Sequence, residues 1–183
     1  DSSIYEYLEM QEVPSLVAWT YDANAPRPSV GFDNRESMRA LTLEVLKSGH
    51  QMFAVISGYQ MGNDRARQRI EGIREALESA GRDTERLRII ETSYDIERGA
   101  EAFDELMDRP DRPTAVICGN DVLAAGALMR ARARRLDVPG DVSITGFDDI
   151  ELARIVDPAL TTVHVPHREM GRKAARELVD MVE

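Results

Sequence analysis

Five short stretches concentrate the side chains able to hydrogen-bond or titrate: GFDN (31–34), SGYQMGND (57–64), TSYD (92–95), CGND (118–121) and GFDD (146–149). The last holds two adjacent aspartates, Asp148 and Asp149, just after a β-branched run. Neighbours in an extended chain point to opposite sides, so the pair reads as two separate roles rather than an acid/base couple on one substrate atom. Asp149 is placed to cap a helix beginning near Glu151 by accepting its orphan N–H groups, which leaves Asp148 to project from the strand end. In CGND, Asn120 can both donate and accept, which suits hydroxyl groups, and Asp121 opens the next helix; the alternative is that both residues only start that helix. Arg65 and Arg69 share one face of a helix while Arg67 points away. A guanidinium there offers paired donors to hydroxyls or to a carboxylate, or is an ordinary surface charge. Tyr94, at a strand-to-helix junction, could stack on a sugar or a heterocycle, or pack as a rim tyrosine.

Bond-breaking chemistry has little support. There is no GxGxxG, and SGYQMGND lacks the lysine and hydroxyl residue of a phosphate loop. No GxSxG elbow occurs. His164 and His167 flank Pro166 with no supporting ligands, so no zinc-type set is formed. The single cysteine, Cys118, sits in the apolar run TAVIC and reads as a small buried hydrophobe. No catalytic group, metal or cofactor is expected. A formal charge of −10 repels phosphates, which excludes nucleic-acid binding through the overall field. No apolar run approaches the roughly 18 residues that would cross a bilayer, and the start has no leader pattern, so no membrane partner is expected.

The elements that must position these loops alternate along the chain. PSLVAWT and PSVGFDN read as short strands, and ESMRALTLEVLKSGH as a helix ending at Gly49. QMFAVISG, LRIIETS, TAVICG and DVSITGF read as strands, separated by helices over DRARQRIEGIREALESAG, IERGAEAFDELMDR and DVLAAGALMRARARRL. Continuously apolar strands, each followed by a helix, call for an α/β fold with parallel sheet covered on both faces. Ligands in such sheets settle beyond the carboxyl ends of the strands, where the five polar loops gather. A division into two lobes would run through the loops at SGHQ, around Gly49, and TTVHVP, around Val163.

The run from RPTAVICGNDVLAAGAL through DVPGDVSITGFDDIELARIVDPALTTVHVPHREMGRKAA, with GFDN, LKSGHQMFAVISG and RQRIEGIREAL before it, resembles the effector-binding region of the lactose/galactose repressor family of bacterial transcription regulators. The resemblance implies a two-lobed architecture similar to periplasmic sugar-binding proteins, with a partial N-terminal lobe (1–49 and 164–183) and a C-terminal lobe (50–163). It implies a cytoplasmic homodimer, with VLAAGALMRARARRL and the region near Ile155 as contact surfaces, and operator DNA bound only through an N-terminal helix-turn-helix missing from this sequence. It further implies that Asp33, Asn63, Arg69, Tyr94, Asn120 and Asp148 face an interlobe cleft. Arg69 is preferred to Arg65 because it stands two residues before the glutamate-glycine step of the matching motif.

Three positions depart from the family pattern: Arg135 or Leu136 stands where a helix-ending glycine is usual, Ser37 and Met38 where glycine-like residues are frequent, and Val165 where glutamine is frequent. The function so implied is an allosteric sensor of a small polar effector, a sugar or related polyol before a purine. The alternative is a secreted solute-binding protein serving a transporter.

Overall fold

The computed structural model describes residues 2–21 and 27–182. Its elements are α1 (Ser2–Met10), β1 (Val17–Ala18), β2 (Ser29–Val30), α2 (Asn34–Lys47), β3 (Phe53–Gly58), α3 (Asp64–Ser79), β4 (Arg88–Thr92), α4 (Ile96–Met107), β5 (Ala115–Cys118), α5 (Asp121–Ala133), β6 (Ser143–Thr145), α6 (Glu151–Ile155) and α7 (His167–Asp180). They fall into two compact units, one of residues 1–34 with 166–183 and a larger one of residues 35–165. In the smaller unit β1 pairs in parallel with β2, and α7 packs on both.

The larger unit holds a parallel sheet in the order β4-β3-β5-β6, with Val55 beside both Ile89 and Ile117 and Val116 beside Ile144. All six residues of β3 and all four of β5 are buried, as expected of central strands covered on both faces. Because β4 follows β3 to one side and β5 lies on the other, the sheet changes direction between β3 and β5. The loops leaving those two strands diverge there and open a crevice.

Ala54, Ile56, Phe103, Leu106, Val116, Cys118, Leu123, Val142 and Ile144 form one buried cluster under α4 and α5. Burial pushes the Cys118 thiol pKa well above its usual range, consistent with a packing role. Helices α4 and α5 approach so closely that a Cβ on Gly99 would stand 2.5 Å from Leu123 O, while one on Gly126 would collide with Ile96 O.

Helix ends follow local chemistry. After α3, Gly81 takes φ +69, Gly81 N donates to Glu78 O and Arg82 N to Leu77 O. After α5 the same left-handed closure is made by Arg135, at φ 59, with Arg135 N donating to Arg132 O and Leu136 N to Ala131 O. The helix lacking its usual glycine thus keeps the motif and places a Cβ where glycine is favoured. Helices α1 and α7 were not anticipated from periodicity. Helix α2 groups with the larger unit, where Met38, Leu41, Thr42 and Val45 are buried.

Candidate functional site

At the carboxyl end of the sheet, α3 carries Arg69 inward, and the residue is 6% exposed. Its Nη1 donates to Gly119 O at 2.6 Å, just past β5, and its Nη2 lies 3.5 Å from Asp148 Oδ1. The guanidinium also sits 3.7 Å above the Phe147 ring centroid, a geometry in which the ring's negative face attracts the cation. Burial lowers the guanidinium pKa, and Asp148 opposes that shift. Arg67 is exposed and its Nε lies 3.9 Å from Glu71, while Arg65 is also exposed. Of the three arginines, Arg69 alone is held at the crevice.

Tyr94 lies over the end of β3: a Cβ on Gly58 would fall 2.5 Å from Tyr94 Oη and 2.6 Å from Cε2. The glycine therefore makes room for the ring, which remains 42% exposed. Asn63 caps α3 by accepting from Ala66 N at 3.2 Å, and Asn120 caps α5 by accepting from Leu123 N at 2.9 Å. Both readings of Asn120 are compatible, because the cap engages Oδ1 and leaves the Nδ2 amide as the group able to address a ligand. Asp33 stands exposed in the smaller unit, after β2. Asn63, Arg69, Tyr94, Asn120 and Asp148 belong to the larger unit, at the ends of β3, β4, β5 and β6 or on α3.

The adjacent aspartates do take separate roles, but not through an extended chain. Asp148 has φ 110 and Asp149 φ 51, so both occupy backbone territory that is costly for side-chain-bearing residues. Asp149 does not cap the following helix, a correction to the expected role. The N-cap of α6 is Ile150, with no side-chain cap, and Asp149 instead accepts from Arg154 Nη2 at 3.1 Å and faces His164 Nδ1 at 2.7 Å. These partners hold the Asp149 carboxyl below the usual carboxylate range.

The amide at the start of α6 is satisfied by a residue that sequence reasoning placed only as a helix opener. Asp121, fully buried, accepts from Ile150 N at 2.9 Å and from Thr162 Oγ1 at 2.6 Å, while its own N donates to Phe147 O. Burial raises its carboxyl pKa, and those two donors oppose the rise. Asp121 thereby ties α5 to the loop that presents Phe147 and Asp148. No signal in its spacing distinguishes this role from ordinary capping. Phe147 was equally missed, although an aromatic directly before a strand-end carboxylate is a usable cue.

The resulting surface offers a fixed guanidinium, a carboxylate, two amide donors and a half-exposed ring. It suits a small, neutral or weakly charged molecule with several hydroxyls on one side and C–H groups on the other. Among the described residues no group of His, Cys, Asp and Glu could hold a metal, and no helix is long and apolar enough to cross a membrane.

Comparison with known proteins adds a lineage. The family described as periplasmic binding protein-like domain matches residues 43–183. The chain is 33% identical over 183 residues to the HTH-type transcriptional repressor CytR of Escherichia coli K12, covering 100% of this chain and 53% of the relative. It thus spans about half the length of the curated relatives it matches. Among solved structures, a protein from Actinobacillus succinogenes superposes with a TM-score of 0.92 at 29% identity, covering 100% of this chain and 66% of that one. A LacI-family transcriptional regulator from Enterococcus faecium with bound ribose gives 0.87 at 27% identity, covering 99% and 66%.

Proposed function

The chain belongs to the periplasmic-binding-protein-like domain family, in the form carried by regulators of the lactose/galactose repressor type, and from that premise we propose that it is the effector-binding region of a bacterial transcription regulator. The two compact units correspond to a partial N-terminal lobe and a C-terminal lobe, and Asp33 joins Asn63, Arg69, Tyr94, Asn120 and Asp148 around one ligand. That ligand is a monosaccharide or related polyol before a purine. The observation that carries this reading is the buried Arg69 guanidinium held between Gly119 O, Phe147 and Asp148 at the point where the sheet changes direction. The ribose-bound neighbour supports the ligand class.

Ligand binding does not break a bond in this account. It shifts a population between arrangements by its differential affinity for them, and operator DNA is contacted by a helix-turn-helix outside these 183 residues. The active species is a cytoplasmic homodimer. Ile96, Met129 and Ile155, which are 41%, 54% and 72% exposed, supply an apolar face for the dimer contact around α5 and α6.

Thermal-shift screening of sugars, sugar acids and purines tests the reading, since a ligand specific to the folded state raises apparent stability. A sugar that raises the midpoint in the unaltered chain but not in Arg69→Ala supports it. A hit insensitive to Arg69→Ala moves the site elsewhere. The alternative, a secreted sugar-binding protein of a transport system, is separated by the full open reading frame, which would encode a signal peptide in place of a helix-turn-helix.

A further inference from the structure

The larger unit has a second cavity, at the opposite end of the sheet from Arg69. It has a volume of about 310 Å³ and lies where the amino ends of β3 and β6 meet α2, α5 and residues 158–161. Val45, Leu128, Val138, Ile144 and Leu160 give it hydrocarbon walls. Strand β6 is the edge of the sheet, and beyond it pairing continues only as a bridge between Thr145 and Thr161. The cavity opens beside that bridge.

The polar groups around it are unequally occupied. His50 is engaged through both ring nitrogens, with Thr114 Oγ1 at 3.0 Å and Ser143 Oγ at 2.9 Å. Glu44 at the rim is paired with Lys47 Nζ at 2.5 Å. Thr145 is the exception: it lines the cavity, is only 4% exposed, and its buried Oγ1 has no hydrogen-bond partner. A buried hydroxyl in that state carries a desolvation penalty that a guest with one polar atom removes. The volume falls at the lower end of the range of small-molecule sites.

We propose that this cavity is a second binding site, for a small uncharged molecule with an apolar body and one hydroxyl, anchored by a hydrogen bond to Thr145 Oγ1. Its chemistry differs from that of the carboxyl-end cluster, which offers a guanidinium and a carboxylate to a many-hydroxyl ligand. Burial keeps His50 below its usual pKa, so the walls offer a guest no cation, and the pairing of Glu44 removes the nearest anion.

The 183-residue chain is titrated with benzyl alcohol, toluene and glycerol, and amide chemical shifts are followed by NMR. Benzyl alcohol should give saturable shifts centred on Ser143–Thr145 and Leu160–Thr161. Thr145→Val should weaken it about fivefold, the worth of one hydrogen bond, while leaving toluene unchanged. Ala159→Phe, at the exposed mouth, should block both. The proposal is overturned if no saturable shifts occur there, if glycerol binds as tightly as benzyl alcohol, or if Thr145→Val binds benzyl alcohol as well as the unaltered chain. It is equally overturned if a crystal grown with benzyl alcohol shows only an ordered water on Thr145 Oγ1.

Discussion

Gly58→Ala should separate the stability of the sheet from the placement of Tyr94. The new Cβ would stand 2.5 Å from Tyr94 Oη and 2.6 Å from Cε2, where ordinary carbon contacts are about 3.5–4.0 Å, so the ring must retreat by roughly 1 Å. The ring is 42% exposed and can swing outward without moving β3. Replacing glycine gains about 0.4–1 kcal/mol through the unfolded chain, and the lost ring contact costs about 0.5–1.5 kcal/mol. The net change in unfolding free energy is therefore within ~1 kcal/mol, whereas the Tyr94 ring resonances shift and their NOEs to residue 58 change. In a Tyr94→Ala background the same substitution becomes stabilising by about 0.4–1 kcal/mol, which a double-mutant cycle in urea resolves. A loss above about 3 kcal/mol in both backgrounds, the range of core overpacking, would refute the reasoning by showing that the glycine serves the sheet and not the ring.

Asp121→Ala should cost about 2–4 kcal/mol in urea unfolding, since it strands two donors, Ile150 N and Thr162 Oγ1; Asp121→Asn, which keeps one acceptor, should cost about 1 kcal/mol. Arg135→Gly should stabilise the chain by ~0.5–1 kcal/mol, because the left-handed conformation burdens a Cβ by more than glycine's extra unfolded freedom costs; the unfolding midpoint should rise by about 2 °C. Burial lowers the His50 pKa below 6.5, so as pH falls below that value the unfolded chain takes up protons that the folded one resists. The His50 contribution to stability is present above pH 6.5 and declines as pH falls through the folded pKa. His50→Gln should flatten that limb of a stability-against-pH curve, and an unchanged limb would contradict it.

The sheet was readable because β3 and β5 are apolar at every position, a pattern that only a strand covered on both faces sustains. Gly49 and Gly81 marked helix ends in the same way, since each takes a positive φ that glycine adopts without strain. Arg69 was different: spacing left it level with Arg65, and the family resemblance selected it. Its stacking on Phe147 and its pairing with Asp148 join residues 79 apart, a proximity that no local pattern encodes. Asp149 was misread for the same reason. Local spacing offered a helix start, whereas folding brings His164 alongside through the bridge between Asp148 and His164. Helix α7 escaped notice because only Met170 along it is buried, so its polar sequence carries little periodic signal.

The central claim is that a hydroxyl-rich ligand is gripped at the Arg69 and Asp148 cluster. Isothermal titration calorimetry of ribose and of the strongest sugar from the thermal screen, against the unaltered chain and Asp148→Asn, tests it most directly. A hydrogen bond to a charged group is worth about 1.5–3 kcal/mol, so affinity should fall by at least about tenfold while the urea midpoint of the ligand-free chain moves little. Equal affinity in the two proteins, with heat of binding preserved, would contradict the account.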